Sequence, residues 1–256
     1  YSATKGPGGT SGMCTGAAHA GYAYGNGKSP YGSIFCPTNW GSATRNSSSG
    51  GAIHLVVTGS LRVDGHVSAD GAYTSDAYSH CGGSVWVECG TLTGSGGIYA
   101  REGWRTSWTG SDQTTSSGGR VAIYQRVGRD FTAFPKSRIL TARQYGNSCG
   151  TVYLESADVS RGTDLHIDTL NSAVHQTVFP MAADGDNYAH RYENVNVTVG
   201  NGGKLKVLKN PATGAAVTIR IRSLTLASST SYLNLDGNTL KIRDPDYRRM
   251  KDWNAT

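Results

Sequence analysis

The sequence predicts an all-β chain: a right-handed parallel β-helix with long loop excursions and irregular ends. Three observations carry that expectation. First, one phrase recurs. Gly50-Gly51-Ala52-Ile53-His54-Leu55-Val56-Val57 is followed by Gly82-Gly83-Ser84-Val85-Trp86-Val87-Glu88-Cys89, then by Gly118-Gly119-Arg120-Val121-Ala122-Ile123-Tyr124 and a shorter Gly150-Thr151-Val152-Tyr153-Leu154-Glu155. The copies begin 32, 36 and 32 residues apart, and units repeated at such a spacing bury their apolar faces only by stacking on neighbours. Second, glycine is in excess, 35 of 256 residues, and only 16% of residues are charged. No long window shows a 3.6-residue apolar period over good helix formers, so almost no helix is expected. Third, short apolar strands alternate with turn signals. Ile53, Leu55 and Val57, then Leu61 and Val63, then Val67 and Ala69 are separated by Thr58-Gly59-Ser60 and Asp64-Gly65-His66. Three such strands and two corners make one coil, whereas a Greek-key sandwich needs longer strands and hairpin turns.

The elements follow in order. Residues 1–49, rich in glycine and serine with Tyr22, Tyr24, Tyr31 and Trp40, read as a loop-rich cap packed on the first rung, with one short strand at 31–35. The β-helix is expected over 50–243. Its second coil repeats the layout, with Val85 and Val87, then Leu92 after Cys89-Gly90-Thr91, then Ile98 after Gly94-Ser95-Gly96-Gly97. Excursions at 72–81 and 103–117 leave from the same corner of successive coils, a common binding place in solenoids. Beyond Gly150 the phrase fades, but short strands are expected at 152–154, 165–167, 195–199, 205–208, 217–221, 224–226, 233–235 and 240–242. Residues 244–256 read as a charged tail or linker.

The net charge is +6, with scattered basic residues apart from Arg248-Arg249 and the Lys204, Lys206, Lys209 group. Lys204 and Lys206 alternate with Leu205 and Val207, which makes them a solvated strand face. No nucleic-acid motif accompanies them, and no nucleic-acid partner is expected. No stretch approaches the ~20 apolar residues of a membrane helix, so membrane insertion is not expected. A start at Tyr1 without an apolar leader reads as a mature chain or an excerpt. Polar, glycine-rich β composition favours an extracellular or cell-surface location.

The five cysteines, Cys14, Cys36, Cys81, Cys89 and Cys149, fit no CxxC metal or redox pattern. Cys14 with Cys36 is the favoured disulfide. Cys81 with Cys89 comes next, although an extended strand between them spans far more than the ~4.4–6.8 Å that bridged Cα atoms allow. Buried, unpaired cysteines on successive rungs are the even-weighted alternative.

No catalytic residue is assigned. A glycosidase needs two carboxylates flanking the bond, ~5–5.5 Å or ~6.5–9.5 Å apart. Asp64 and Glu88 occupy adjacent repeats, and Asp158, Asp164 and Asp168 cluster in sequence, all without a motif. Arg101, Arg105 and Arg120 are the candidates for a lyase base or uronate neutraliser. Asp184, Asp186 and Asn187 form a weak calcium candidate in an Asp-Gly turn. The seven histidines show no metal-binding spacing. Tyr73, Tyr78, Tyr99, Trp104 and Trp108 are the ligand-binding candidates, a sugar-stacking platform at the excursion corner; self-packing of the loops is the plainer reading. Sequons at Asn46, Asn196 and Asn254 are weak.

The run Tyr31-Gly32-Ser33-Ile34-Phe35-Cys36-Pro37-Thr38-Asn39-Trp40-Gly41-Ser42, followed by the phrases from Gly50, Gly83 and Gly118, resembles a known kind of sequence. It is similar to the glycine-rich β-strand regions of very large secreted bacterial surface proteins of the planctomycete, verrucomicrobial and lentisphaeral groups. The likeness covers about residues 15–155 and implies a β-helical, secreted or surface-exposed chain with no catalytic residues to carry over. Cys36, His66 and Cys81 stand where glycine is usual in that pattern. The expected role is a non-catalytic structural module of an extracellular surface, adhesive or filament-forming protein. Its expected partners are other copies, joined head to tail, or neighbouring modules of a longer chain. A carbohydrate-binding or polysaccharide-degrading β-helix with glycan partners is the alternative, and a trimeric fibre segment a third reading.

Overall fold

The structure, a computed structural model, describes residues 6–9, 17–23, 28–44, 48–73, 80–103, 116–143, 148–168, 176–179, 192–210 and 213–243. Among them there is no α-helix, only two short 3-10 turns at Lys136–Arg138 and Val159–Arg161. No helix is long and apolar enough to cross a membrane.

The chain is a β-solenoid. Strands β1 (Ala52–Arg62), β3 (Ser84–Thr93), β5 (Arg120–Gln125) and β7 (Thr151–Glu155) stack in parallel as one wall, and β2 (His66–Ser68), β4 (Gly97–Tyr99) and β6 (Ile139–Leu140) as another. The pairing superposes the repeated phrase residue for residue, with Ile53 on Val85 on Val121 on Val152. The period-2 alternation of a strand then sends every second side chain into the lumen. Val85, Val87, Cys89, Val121, Ile123, Val152, Leu154, Ile98 and Ile139 form that buried core. Glycine opens each phrase because the coils touch there: a Cβ on Gly83 would overlap the Gly51 carbonyl oxygen, and on Gly119 that of Gly83.

After β7 the stack changes direction. A loop with the Val159–Arg161 turn and Gly162, at φ +81°, brings β8 (Thr163–Asp168) back antiparallel to β7. From β8 the parallel habit resumes with β10 (Val195–Gly200) and β13 (Ser223–Leu226), completing a seven-stranded sheet. Strands β9 (Thr177–Phe179), β11 (Lys204–Val207) and β14 (Tyr232–Asn234) make a second wall. Strands β12 (Thr218–Ile221) and β15 (Thr239–Ile242) make a third.

The lumen changes sides at the same point. Tyr153 pairs with Leu165, so the face of β7 opposite to Val152 and Leu154 is continuous with the core of the second half. That core holds Leu165, Ile167, Val195, Val197, Val199, Leu205, Val207, Ile219 and Ile221. Strand direction and lumen side thus reverse together, which amounts to a half-turn about the stacking axis. A rotation cannot change handedness, so both halves wind in the same sense, in keeping with the strong preference for one hand of parallel crossover.

The described part of the opening segment does not form the strand expected at 31–35. Ser33 Oγ accepts from the backbone N–H groups of Phe35 and Cys36, both at 3.1 Å, and bends the chain instead. Nor is the segment confined to the first rung. Residues 17–23 run past Gly82, Ser117 and Gly118 to a bridge between Gly21 and Thr177. Residues 28–44 lie across the outer face of β3, β5 and β7, where Ile34 and Phe35 close the second core and Phe35 meets Tyr153 edge-on at 5.0 Å.

Candidate functional site

The repeated phrase places polar and aromatic side chains on the outer face of the first wall in two lanes. One lane runs His54, Trp86, Ala122, Tyr153, and the next Val56, Glu88, Tyr124, Glu155. His54 stacks on Trp86 at 3.9 Å and 11°, and its Nε2 lies 3.3 Å from Glu88 Oε1. Arg126, just beyond β5, joins the carboxylates: Nη2 donates to Glu88 Oε2 at 2.9 Å, and Nη1 to Glu155 Oε1 at 3.5 Å. Its guanidinium lies 4.9 Å from the centre of the Tyr124 ring, while Tyr153 donates its hydroxyl to Glu155 Oε2 at 2.8 Å. The Arg126 hydrogen bond is the main reason the Glu88 carboxyl is held below the usual carboxylate range. Of this cluster only Glu88 was among the sequence-based candidates, yet the rest was readable in principle: superposing the phrases aligns His54 with Trp86 and Glu88 with Tyr124.

Apart from Glu88, the carboxylates singled out from sequence are committed elsewhere. Asp64 sits in its turn, bound by Arg62 Nε at 2.6 Å and by the Ser95 N–H and hydroxyl, which hold its pKa at about 2. Glu88 lies on the outer sheet face and does not join it. Asp158 accepts from the Ser160 hydroxyl and N–H, and its pKa is lowered by both. Asp164 accepts from Asn196 Nδ2 at 3.0 Å; the side chain of Asp168 lies outside the description. A general acid needs a raised pKa, and Asp64, Glu88 and Asp158 are shifted the other way.

Of the lyase candidates, Arg101 is bound to Asp70 through Nε and Nη2, at 3.0 and 2.6 Å, and Arg143 Nη2 completes the same carboxylate at 2.9 Å. These residues tie three successive coils at the corner where the excursions leave. Arg120 is fully buried, with Nε donating to the Tyr31 carbonyl and Nη1 to Thr151 Oγ1. Burial pushes its pKa down to about 10, and burial with the Arg120 charge pushes His19 down to about 3. His19, buried and neutral, donates Nδ1–H to the Gly82 carbonyl at 2.8 Å. Both serve to fix the opening segment on the coils. Arg105 lies outside the described residues.

Tyr73 is 60% exposed at the root of the first excursion. Tyr99, half-buried on β4, is covered by the Arg101 guanidinium at 3.9 Å and flanked by His66 at 5.1 Å. Tyr78, Trp104 and Trp108 lie outside the described residues, as do the calcium candidates Asp184, Asp186 and Asn187. Among the described residues no group of three metal-ligating side chains is found.

Cys36, Cys81, Cys89 and Cys149 are free thiols, and Cys14 lies outside the described residues. The Cys14–Cys36 bridge is therefore not formed. Nor do Cys81 and Cys89 bridge, because Cys89 faces the first lumen on β3 whereas Cys81, before the strand, directs its thiol to the Ala17 carbonyl at 2.9 Å. Burial pushes Cys81 and Cys149 up to about 12 and Cys89 up to about 11, which keeps all three protonated and unreactive.

The other exceptional surface is the end of the stack. The lumen side chains Ile53, Leu55, Val57, Leu61 and Val67 of the first coil are only partly buried, while Val85, Val87, Cys89, Leu92 and Ile98 one coil inward are sealed. No hydrogen bond among the described residues reaches the outer edge of β1. No family model matches the chain, and no curated protein or solved structure matches it.

Proposed function

We propose that the chain is a non-catalytic structural module of an extracellular surface, adhesive or filament-forming protein, one that associates through the ends of its solenoid. The uncapped first coil carries this reading. Eleven residues of edge strand and a strip of half-buried aliphatic side chains form a surface that further strands complete, because an unpaired edge is a template for pairing. Natural monomers blunt such edges with lysine, glutamate, proline or a cover, and residues 52–61 contain none of those residue types. The test is sedimentation and electron imaging of the purified chain across a wide concentration range. Concentration-dependent end-on association supports the reading, and a monomer throughout sinks it.

A second reading, a glycan-binding solenoid, is favoured by one observation: the exposed cluster of His54, Glu88, Tyr124, Arg126 and Glu155 combines planar rings with paired donors and acceptors. Binding on a glycan array that is lost in Arg126→Ala supports it, and an array without hits removes it.

A further inference from the structure

Resting on the end-association reading, the structure points to one specific partner. We propose that a second copy of this chain docks on β1 edge to edge and antiparallel, about a two-fold axis midway between the two Leu55 residues, so that the two first lumens become one core.

The glycines of the first coil carry the argument furthest. In the second coil, a Cβ on Gly83, Gly90 or Gly96 would press on the carbonyl of Gly51, Gly59 or Gly65. A side chain at these corners therefore points along the stacking axis toward the preceding coil. At Gly51, Gly59 and Gly65 themselves a Cβ would meet nothing within 4 Å. None of the three has a positive φ. Neither packing nor backbone conformation within this chain requires glycine there, although glycine loses more backbone freedom on folding than any other residue. What glycine provides at these corners is a flat end face, free of methyl groups that would hold a docking backbone away.

The choice of a second copy, front to front, rests on fit. Antiparallel pairing centred on Leu55 sets Ile53 against Val57 and His54 against Val56, within the part of β1 that precedes the register shift after Val57. The lumen positions are then all aliphatic across the joint. A two-fold axis perpendicular to the sheet keeps both lumens on the same side of it, so Ile53, Leu55 and Val57 of each copy are buried by the other, as an isologous contact requires. Val56, 65% exposed on the outer face, gains a neighbour. The other end of the molecule fits β1 poorly. Its edge strand β13 has four residues against eleven, and the last two coils carry Arg220, Arg222, Lys241 and Arg243.

The experiment compares the intact chain with a Gly51→Ala, Gly59→Ala, Gly65→Ala variant by sedimentation equilibrium and thermal unfolding under dilute, monomeric conditions. The expected result is a dimer for the intact chain, at least tenfold weaker association for the variant, and an unchanged or higher melting temperature for the variant monomer. In Leu55→Cys, oxidation yields a dimer that peptide mapping shows joined through position 55, because directly opposed Cβ atoms lie ~4.5–5.5 Å apart. A monomer at every concentration overturns both this pairing and the end-association reading. Association that is untouched by the glycine variant, that cross-links elsewhere, or that Leu226→Lys on β13 abolishes, overturns the β1 pairing alone and leaves association through the ends standing.

Discussion

Coil one and coil two carry matching residue types at matching positions, yet their surroundings differ. Gly83, Gly90 and Gly96 are pressed on the carbonyls of the coil before them, and Val85 and Val87 are sealed. Gly51, Gly59 and Gly65 face open space, and Ile53, Leu55 and Val57 are half-buried. The comparison separates what the fold needs from what the phrase carries. In coil two the glycines are structural necessities; in coil one the same residues have no task inside the chain, and so mark a surface.

The sharpest way to break that comparison is to add one methyl group in each coil. Gly83→Ala, where the clash is with backbone that cannot move aside, is expected to cost more than about 3 kcal/mol and to leave little folded protein. Gly51→Ala should change monomer stability by less than about 1 kcal/mol, in the stabilising direction, by urea unfolding. Equal effects would dissolve the distinction. Next come the lumen side chains. Ile123→Ala should cost about 2–5 kcal/mol, and Leu55→Ala about 1 kcal/mol because much of its apolar area stays wet in the monomer.

A third test uses pH. His19 binds its proton near 6.5 in the unfolded chain but only at about 3 when buried, so the unfolded state gains protons first as pH falls. Its contribution is whole above about pH 6.5 and is lost toward pH 3, at up to about 1.4 kcal/mol per pH unit. His166, lowered to about 4 chiefly by burial, acts in the same direction. Urea midpoints across that range should fall with acid, and less steeply in His19→Gln, since His19 anchors the opening segment to coil two. The smallest effect belongs to the exposed ladder. Arg126→Ala should cost under about 1 kcal/mol and less at high salt, because its ion pairs are solvated.

Much of the first half was legible because its logic is local. Glycine pairs mark the coil contacts, alternation marks the lumen, and β3, β5 and β7 begin within two residues of their glycines. The strands after Gly150 also lie where apolar alternation sets them, apart from β9, whose Thr177-Val178-Phe179 is too short to carry a period. The reversal at Gly162 was not legible. It depends on which edge β8 chooses, and its sequence, Thr-Asp-Leu-His-Ile-Asp, alternates equally well in either direction. The outer-face cluster was missed for a related reason: Glu88 and Glu155 lie far apart in sequence, and only register brings Arg126 between them. Of the two cysteine readings the disulfides are not formed and the buried, unpaired alternative describes Cys81, Cys89 and Cys149, because cysteine parity carries no geometry.

The segment laid across the outer face has a mechanical consequence. Coils stacked only through a parallel ladder peel one at a time under tension, each 32-residue repeat, Gly50 to Gly82 for example, releasing about 110 Å of contour length. Here a pull applied ahead of residue 17 does not reach the ladder first. It loads the bonds of residues 17–23 to Gly82, Ser117 and Gly118 and then those from Arg120 to Tyr31, Tyr124 to Phe35 and Ser84 to Asn39, which must slip in shear before the first coil can unwind. The molecule is thus lashed lengthwise, like a coiled rope secured by a strap of its own length.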